Sequence, residues 1–375
     1  MTPAASARPG HDADLVVVGA GPAGTVAALS AARLGAGRVV LLEKAERGRW
    51  KCCAGGLGPR AKTILRELDL YDAVAREAYP IRGLVLTGPG GRTATLAGAQ
   101  AALVLARDRL DDLLADAAAA AGVEVRRGTR VDALVRDGTG RVTGVRAGDE
   151  VVAARHVVLA AGSGGHRLDG RPAEVLLHGI ACRFRGVEVT PGCVEMAFEP
   201  DLLPHYGWLF PEPGGTVNAG LCIRADRLHG RSLRAVFQAF LDRRLGDRLA
   251  GAQALGPWRG HPIEASVRVS HRASPGVLLA GEAAGLVDPA TGEGIPHAMA
   301  SGRLAALCIR WSDLLGWSPA TTSRTYARML RGAFEPGFRV ADLFARHGVR
   351  GLDLVTRLAG IAPVRAAAAR ALAGV

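Results

Sequence analysis

The sequence lacks the features that mark membrane-spanning and secreted proteins. No apolar run in its 375 residues reaches the roughly 18 residues that a bilayer span needs. The first residues, MTPAASARPGHDAD, contain no apolar segment of the kind found in secretion signals. We therefore expect residues 1–11 to be a disordered leader and the protein to be cytoplasmic. With 49% hydrophobic residues, the chain can bury a large core in one complex domain or two interleaved ones.

Metal-site and disulfide-framework cysteine spacings are also absent. The chain has six cysteines and no C-x-x-C pair among them. In a cytosolic protein we expect them to be reduced, and we expect no structural metal. The sequence leaves open whether the adjacent Cys52 and Cys53 pair with each other. The six are Cys52, Cys53, Cys182, Cys193, Cys222 and Cys308.

Lysine is scarce, so the formal net charge of +12 comes almost entirely from arginine. The arginines are scattered, and no zinc-finger spacing or RNA-recognition signature accompanies them, which argues against nucleic-acid binding. A basic surface suits an anionic substrate or an anionic membrane surface instead, so peripheral membrane contact is open. The Arg-rich segment 357–375 is typical either of an ordinary packed helix or of a membrane or partner contact.

Residues 14–43 contain a complete dinucleotide-binding pattern. An apolar strand, a G-x-G-x-x-G motif, an Ala-rich helix, a second strand and Glu43 follow one another in that order. In this pattern Gly19 permits the tight turn, Gly21 lets a pyrophosphate approach the backbone, and Gly24 allows close packing of helix and strand. Glycine is abundant, at 50 of 375 residues, so an ordinary Gly-rich turn is the other interpretation. The predicted cofactor-binding residues of this segment are Gly19, Ala20, Gly21, Pro22, Ala23, Gly24, Glu43 and Lys44.

Two further segments contain residue types suited to chemistry or to substrate binding. Residues 50–58 form a Gly-rich loop with Cys52 and Cys53, ahead of a helix that begins at Pro59, and a helix N-terminus can lower a thiol pKa. The other interpretation is a turn with two incidental cysteines. Tyr206, Trp208 and Phe210 alternate along a predicted strand, so their rings share one face. Because aromatics make up only 5% of the chain, this face indicates either an apolar substrate site or a core.

The order of elements predicts an α/β fold. It consists of a Rossmann-like dinucleotide-binding domain with a β-meander, interleaved with an antiparallel-sheet substrate domain and followed by a helical C-terminal tail. Strands are predicted separately at 130–136, 151–153 and 156–162, and a last strand of the second domain at 263–269. The predicted ranges are 12–80, 100–170 and 270–318 for the first domain, 81–99 and 171–269 for the second, and 319–375 for the tail.

Several motifs together resemble a known family. GAGPAG with Glu43, the helix RDRLDDLLADAAAAAG followed by TRVDAL, and AGEAAGLVDPATGEGIPHAMASGRLAA resemble FAD-dependent oxidoreductases of the aromatic-hydroxylase fold. KCCAGGL resembles the Lys-x-Cys-Gly-Gly loop of the geranylgeranyl reductase family, and YGWLFP matches its Tyr-x-Trp-x-Phe-Pro motif. The resemblance spans residues 12–375.

This resemblance implies roles for residues far apart in the chain. The glycines of residues 19–24 would hold the FAD pyrophosphate and Glu43 the ribose. Cys53 would face the substrate side of the flavin as the catalytic residue. The remaining implied cofactor residues are Arg107 at the diphosphate, Val131 at the adenine, Gly281 and Glu282 at the ribityl–phosphate portion, and Gly292, Gly294 and Ile295 at the isoalloxazine. The implied substrate-binding residues are Tyr206, Trp208 and Phe210.

The chain departs from the family pattern at four places. Glu282 replaces an Asp, Ala54 replaces a Gly, and Cys52 stands where the family often has Pro. The strand end at residues 160–163 lacks the usual Asp. We expect FAD binding to survive these changes, whereas they leave the substrate open.

The resemblance implies a reductase that saturates carbon–carbon double bonds. Its substrate would be an isoprenoid or another apolar intermediate, which can be anionic or prenylated, and the pathway can belong to specialised metabolism. The alternatives are an FAD-dependent monooxygenase, a dehydrogenase or oxidase on the same fold, and, from another class, a flavoprotein electron carrier. No W-x-W-x-I-P halogenase signature is present. Because no second G-x-G-x-x-G is evident, the electron donor stays open among NADPH, ferredoxin and free reduced flavin.

Overall fold

The computed structural model describes residues 11–172, 175–267, 273–348 and 351–358. Almost all of the predicted leader, and the Arg-rich segment beyond residue 358, lie outside these residues. The strands in chain order are β1 (Ala13–Val18), β2 (Val39–Leu42), β3 (Gly56–Leu57), β4 (Tyr79–Thr87), β5 (Thr93–Val104), β6 (Glu124–Arg126), β7 (Ala133–Arg136), β8 (Val142–Ala147), β9 (Glu150–Leu159), β10 (Val175–Arg185), β11 (Cys193–Ala197), β12 (Gly207–Glu212), β13 (Thr216–Arg224), β14 (Gln253–Ala254), β15 (Arg259–Glu264), β16 (Ala273–Ser274) and β17 (Val277–Leu279). The α-helices are α1 (Pro22–Arg33), α2 (Pro59–Glu67), α3 (Tyr71–Glu77), α4 (Arg107–Ala120), α5 (Gly165–Asp169), α6 (Leu233–Arg244), α7 (Ile295–Leu315), α8 (Pro319–Leu343) and α9 (Leu352–Leu358).

The first sheet has a parallel centre in the order β17-β9-β1-β2-β6, with β16 antiparallel at the edge. Every residue of β1 is buried, as expected for a parallel strand covered on both faces. Helices α1 and α7 pack against each other beside this sheet. The carboxyl ends of β1 and β9 lie side by side, so loops after both strands meet at one edge.

Strand β9 is longer than the sequence predicts. Its first residues pair antiparallel with β8 and its last residues pair parallel with β1 and β17, so the strands predicted at 151–153 and 156–162 are one strand. The intervening residues contain no glycine or proline that would break it. The meander consists of β7, β8 and β9, whereas β6 joins the parallel sheet. The strand predicted at 130–136 begins only at Ala133.

The second sheet has the order β14-β10-β13-β12-β11-β4-β5-β3, with β15 also paired to β10. All pairs are antiparallel except β11 with β4. Helix α6 covers one face through Phe237, Phe240 and Leu241, and an aromatic-rich apolar cluster lies on the other. Strand β15 starts four residues before the strand predicted at 263–269, whose last residues lie outside the described ranges.

The described C-terminal part is helical. Helix α7 ends at Leu315, where the left-handed backbone of Gly316 terminates it, and α8 returns alongside α7. Tyr326 of α8 is fully buried and its hydroxyl donates to the carbonyl of Leu279, which ties the helical pair to the first sheet. Among the described residues, no helix has both the length and the apolar composition to cross a membrane. The predicted α/β fold class is confirmed.

Candidate functional site

A cavity of about 360 Å³ opens at the carboxyl ends of the first sheet's parallel strands. Its walls are formed by the turn between β1 and α1, by the loop of residues 50–58 that contains Cys52 and Cys53 (the Cys loop), and by the starts of α4 and α7. Residues that the sequence placed far apart therefore meet in one space. The predicted site residues that line it are Gly19, Gly21, Pro22, Ala23, Glu43, Lys44, Cys53, Arg107, Val131, Glu282, Gly292, Gly294 and Ile295.

The three motif glycines occupy different environments. Gly19 has φ +99°, and a Cβ there would lie 2.5 Å from the Ala160 carbonyl oxygen. A Cβ on Gly24 would lie 1.8 Å from the Gly19 carbonyl oxygen, so this residue packs the helix onto the turn. A Cβ on Gly21 would meet only an Arg107 nitrogen, at 3.5 Å. Gly21 therefore faces open cavity at the N-terminus of α1, where backbone N–H groups lack helical partners.

Glu43 is buried and held at both carboxylate oxygens. One oxygen accepts the Ala20 backbone N–H at 2.8 Å and the other accepts the Ala45 N–H at 2.9 Å. Ala20 thus acts through its backbone, behind the cavity wall. Each carboxylate oxygen keeps a lone pair that a ribose hydroxyl can use.

Arg107, the first residue of α4, supplies a fixed cation beside Gly21. Its guanidinium donates two hydrogen bonds of 2.9 Å to Asp111, which also accepts from Arg49 at 2.8 Å. Burial alone would lower the pKa of Arg107, but the Asp111 carboxylate and the nearby Cys53 sulfur keep it above its usual value. No sequence pattern identifies Arg49, since neither its spacing nor its neighbours set it apart.

Glu282 forms a charged cluster on another wall. Its carboxylate lies 3.0 Å from the Lys51 ammonium and 3.7 Å from Nε2 of His261, which also lies 3.1 Å from the Ser163 hydroxyl. Burial would raise the pKa of Glu282, but Lys51 and His261 outweigh it and lower the pKa to about 2. The longer side chain at a position where the family has Asp thus ends in an ion pair. Lys51 begins the Lys-x-Cys motif and could have been found from it, whereas His261 carries no such signal.

The Cys loop connects the cavity to the second sheet. Cys53 lines the cavity, and its sulfur accepts the Gly55 N–H at 3.4 Å. Strand β3 separates it from α2, so the charged neighbour of this thiol is Arg107 rather than a helix N-terminus. Cys52 also lines the cavity and packs against the aromatic-rich cluster, and burial raises its pKa. Both residues are free thiols.

The three predicted substrate-binding rings lie on one face of the β12 segment but behind the Cys loop, outside the lining of the cavity. Tyr206 donates its hydroxyl to the Thr291 carbonyl at 2.7 Å. Trp208 donates its indole N–H to Asn218 at 3.0 Å, and the Asn218 amide donates to the Cys53 carbonyl at 3.0 Å. Phe210 packs beneath the loop near Gly56. The sequence analysis missed Asn218, which lies in an apolar strand and is fully buried.

Gly281 also lies behind the wall rather than in it. Its N–H donates to the Ser301 hydroxyl at 2.9 Å, and a Cβ there would lie 2.9 Å from the Ala23 Cβ. It therefore packs α7 against α1 and leaves the neighbouring Glu282 at the cavity surface.

The cavity as built fits FAD. The open backbone at Gly21, the helix N-terminus and the Arg107 cation suit a diphosphate, and Glu43 suits a ribose. Gly292, Gly294 and Ile295 provide a wall of small and apolar surface at the N-terminus of α7, which suits a flat ring system.

Comparisons with known proteins agree with this geometry. The family described as FAD binding domain matches residues 12–308. The chain is 32% identical over 363 residues to the menaquinone reductase of Mycolicibacterium smegmatis, covering 89% of this chain and 84% of that protein. It is 28% identical over 340 residues to the digeranylgeranylglycerophospholipid reductase of Thermoplasma acidophilum, covering 86% and 84%. A crystal structure described as geranylgeranyl bacteriochlorophyll reductase-like, from Thermoplasma acidophilum, superposes with a TM-score of 0.80 at 26% identity, covering 95% of each chain. The chain therefore belongs to the geranylgeranyl reductase family of FAD-dependent oxidoreductases.

Proposed function

We propose that the protein reduces carbon–carbon double bonds in the isoprenoid chain of an amphipathic lipid, with Cys53 as the proton donor. The reductases similar to it are named for a menaquinone and for a digeranylgeranylglycerophospholipid. Both molecules join a polar head to a polyisoprenoid chain. Their shared chemistry supports an isoprenoid alkene as the substrate class.

One structural observation carries this proposal: the Cys53 loop separates the polar cavity from an apolar, aromatic-rich cluster. Arg107, Glu43 and Lys44 lie in the polar part of the cavity wall. Ile263 and Val287 line the cavity and also belong to the aromatic-rich cluster of Trp208 and Phe210. An apolar chain is stabilised on that side, where it reaches Cys53.

Saturating an alkene requires a hydride and a proton. FAD that has been reduced by an external electron donor would supply the hydride, and the cofactor-binding residues described above would hold it. Cys53 donates its S–H proton to the second carbon, which leaves a thiolate. The Gly55 N–H and the Arg107 guanidinium lie beside that sulfur and stabilise the negative charge. Solvent returns the proton, and the apolar wall keeps water from the reacting carbon.

The test uses FAD-loaded protein reduced with dithionite under nitrogen and incubated with a geranylgeranyl glycerophospholipid. We expect a mass gain of 2 Da for each double bond in H2O. In D2O we expect two deuterium atoms at each reduced bond, because the hydrogen that dithionite-reduced flavin transfers also comes from solvent. Cys53→Ala is expected to lose at least a hundredfold in rate, as is typical when a general acid is removed. Cys52→Ala is the matched control and retains the rate.

Other outcomes would favour the alternatives. A product heavier by oxygen in air would indicate a monooxygenase, and reoxidation of the flavin without lipid product would indicate an electron carrier. Full activity of Cys53→Ala would refute the role of this thiol. Bleaching of the flavin by NADPH under nitrogen identifies a direct donor, whereas reduction by dithionite alone points to ferredoxin or free reduced flavin. We place the protein in the cytoplasm, a proposal that its free thiols support.

A further inference from the structure

The exposed side of α8 carries an apolar stripe that no described residue covers. Val340 is 68% exposed, Leu343 60% and Phe344 51%, which is unusual for large apolar side chains. Ala333, Pro336 and Gly337 extend the stripe toward the start of the helix, and all three are exposed. These positions recur every three or four residues, so they lie along one side of the helix. We call residues 333, 336, 337, 340 and 343, together with Phe344 directly after the end of α8, the α8 stripe.

In the second half of α8 the stripe is not the side by which the helix packs onto the protein, whereas nearer its start Thr322 and Tyr326 on the same side are buried. Leu330, Phe334 and Phe338 are buried, and the two rings contact His297 of α7 with centroid distances of 5.7 and 5.1 Å. From Leu330 onward the helix therefore has one apolar side that is buried by folding and a second that stays exposed to water. The second side is a candidate interaction surface.

The charged side chains that are exposed beside the stripe are positive. Arg339 and Arg346 pair with Glu335 and Asp342, but the side chains of the arginines are 66% and 65% exposed while those of the acids are 16% and 17% exposed. The acids therefore lie inward and the cations outward. Arg328 and Arg331, also exposed on α8, have no acidic partner among the described residues. An apolar stripe bordered by outward cations is the pattern of helices that lie on anionic bilayers.

The stripe also lies close to the site. His297, which α8 packs against, is the third residue of α7, and Ile295, the first, lines the cavity. A bilayer against α8 would thus lie beside the helix that packs directly on the cavity-lining end of α7.

We propose that the α8 stripe docks the protein on an anionic membrane surface, with Val340, Leu343 and Phe344 entering the headgroup region and Arg339 and Arg346 contacting lipid phosphates. The interaction is independent of the reduction proposed above, because it requires neither substrate nor reduced flavin. Its test therefore succeeds or fails separately from the alkene assay.

The experiment is co-sedimentation of the FAD-loaded full chain with vesicles of phosphatidylcholine, with and without 30% phosphatidylglycerol. We expect binding to the anionic vesicles that weakens with added salt and is at least tenfold weaker on pure phosphatidylcholine. The triple variant V340S/L343S/F344S is expected to lose at least tenfold in affinity. R339Q/R346Q is expected to lose about fivefold for each arginine on anionic vesicles and little on neutral ones.

The matched control is L314S/L315S, because these leucines are 61% and 64% exposed on the other end of α7 and lie outside the stripe. It is expected to bind like the unsubstituted protein. Equal loss of binding in this control, or unchanged binding of the triple variant, would overturn the proposal. A dimer that the triple variant dissociates would assign the stripe to a second copy of the chain. Loss of binding in R365Q/R370Q, with retention in the triple variant, would assign the contact to the C-terminal segment instead.

Discussion

Replacing two glycines of the same motif with alanine should produce two different defects. In Gly24→Ala the new Cβ would lie 1.8 Å from the Gly19 carbonyl oxygen, so backbone must move by roughly 1 Å to relieve the overlap. In Gly21→Ala the new Cβ would meet only an Arg107 nitrogen, at an ordinary 3.5 Å. The first substitution therefore disturbs the fold, and the second fills space that the diphosphate needs.

The magnitudes follow from these contacts. Overpacking destabilises a protein by about 1–3 kcal/mol. A backbone oxygen moves less readily than a side chain, so we expect the destabilisation by Gly24→Ala to lie at the upper end of this range. The higher helix propensity of alanine offsets up to about 1 kcal/mol of this destabilisation. The net loss is about 2 kcal/mol of unfolding free energy, or roughly 2–3 °C in Tm for a chain of 375 residues. Gly21→Ala should change the stability of the FAD-free protein by less than about 1 kcal/mol while weakening FAD binding by tenfold or more, since each hydrogen bond to a charged group contributes about 1.5–3 kcal/mol.

The assay has two independent readouts. Thermal unfolding of FAD-free protein, followed by circular dichroism, reports the fold, and quenching of flavin fluorescence reports the dissociation constant for FAD. Gly332→Ala in α8 is the control, because a Cβ there meets nothing within 4 Å. The reasoning is refuted if Gly21→Ala binds FAD as tightly as the unsubstituted protein, or if the FAD-free Gly24→Ala protein melts at an unchanged temperature.

Three further predictions concern buried polar groups. Asn218→Ala leaves the Cys53 carbonyl without its hydrogen-bond donor, so it should lower the unfolding free energy measured in urea by about 1–3 kcal/mol. It should also change the rate at which a thiol reagent modifies Cys53. An unchanged rate would show that Asn218 does not position the loop. The depressed pKa of Glu282, about 2, contributes stability above pH 4.5 that is lost as pH falls toward 2; Lys51→Met should reduce this acid dependence, whereas Lys51→Arg should keep it. Burial lowers the pKa of His205 to about 4, so between pH 6.5 and pH 4 only the unfolded state binds a proton at this residue. The unfolding free energy should therefore fall by about 3 kcal/mol over that range. A pH series of unfolding midpoints on His205→Asn should lack that decrease.

The parts of the fold that could be predicted are those that local sequence determines. Helix α1 and strand β2 occur in the order that the pattern of residues 14–43 predicts, because glycines and a charged residue bound them. The continuity of β9 was missed, since its two halves pair with different partners and only the folded sheet joins them. Arg49, His261 and Asn218 were missed for a related reason: each acts through a neighbour more than 20 residues away, which no local pattern encodes.

Arg107 links the two halves of the site. Its guanidinium lies beside the open backbone at Gly21, where the diphosphate is expected, and close enough to the Cys53 sulfur to have its own pKa raised by it. Asp111 neutralises part of this cation and fixes its orientation through two hydrogen bonds. A mobile side chain could contact either the diphosphate or the Cys53 sulfur, but only one of them at a time. A buried guanidinium that is held by two hydrogen bonds instead presents its remaining N–H groups in fixed directions. In the mechanism proposed above, the same buried ion pair would therefore serve both the diphosphate and the Cys53 thiolate, so both halves of the cavity depend on the start of α4.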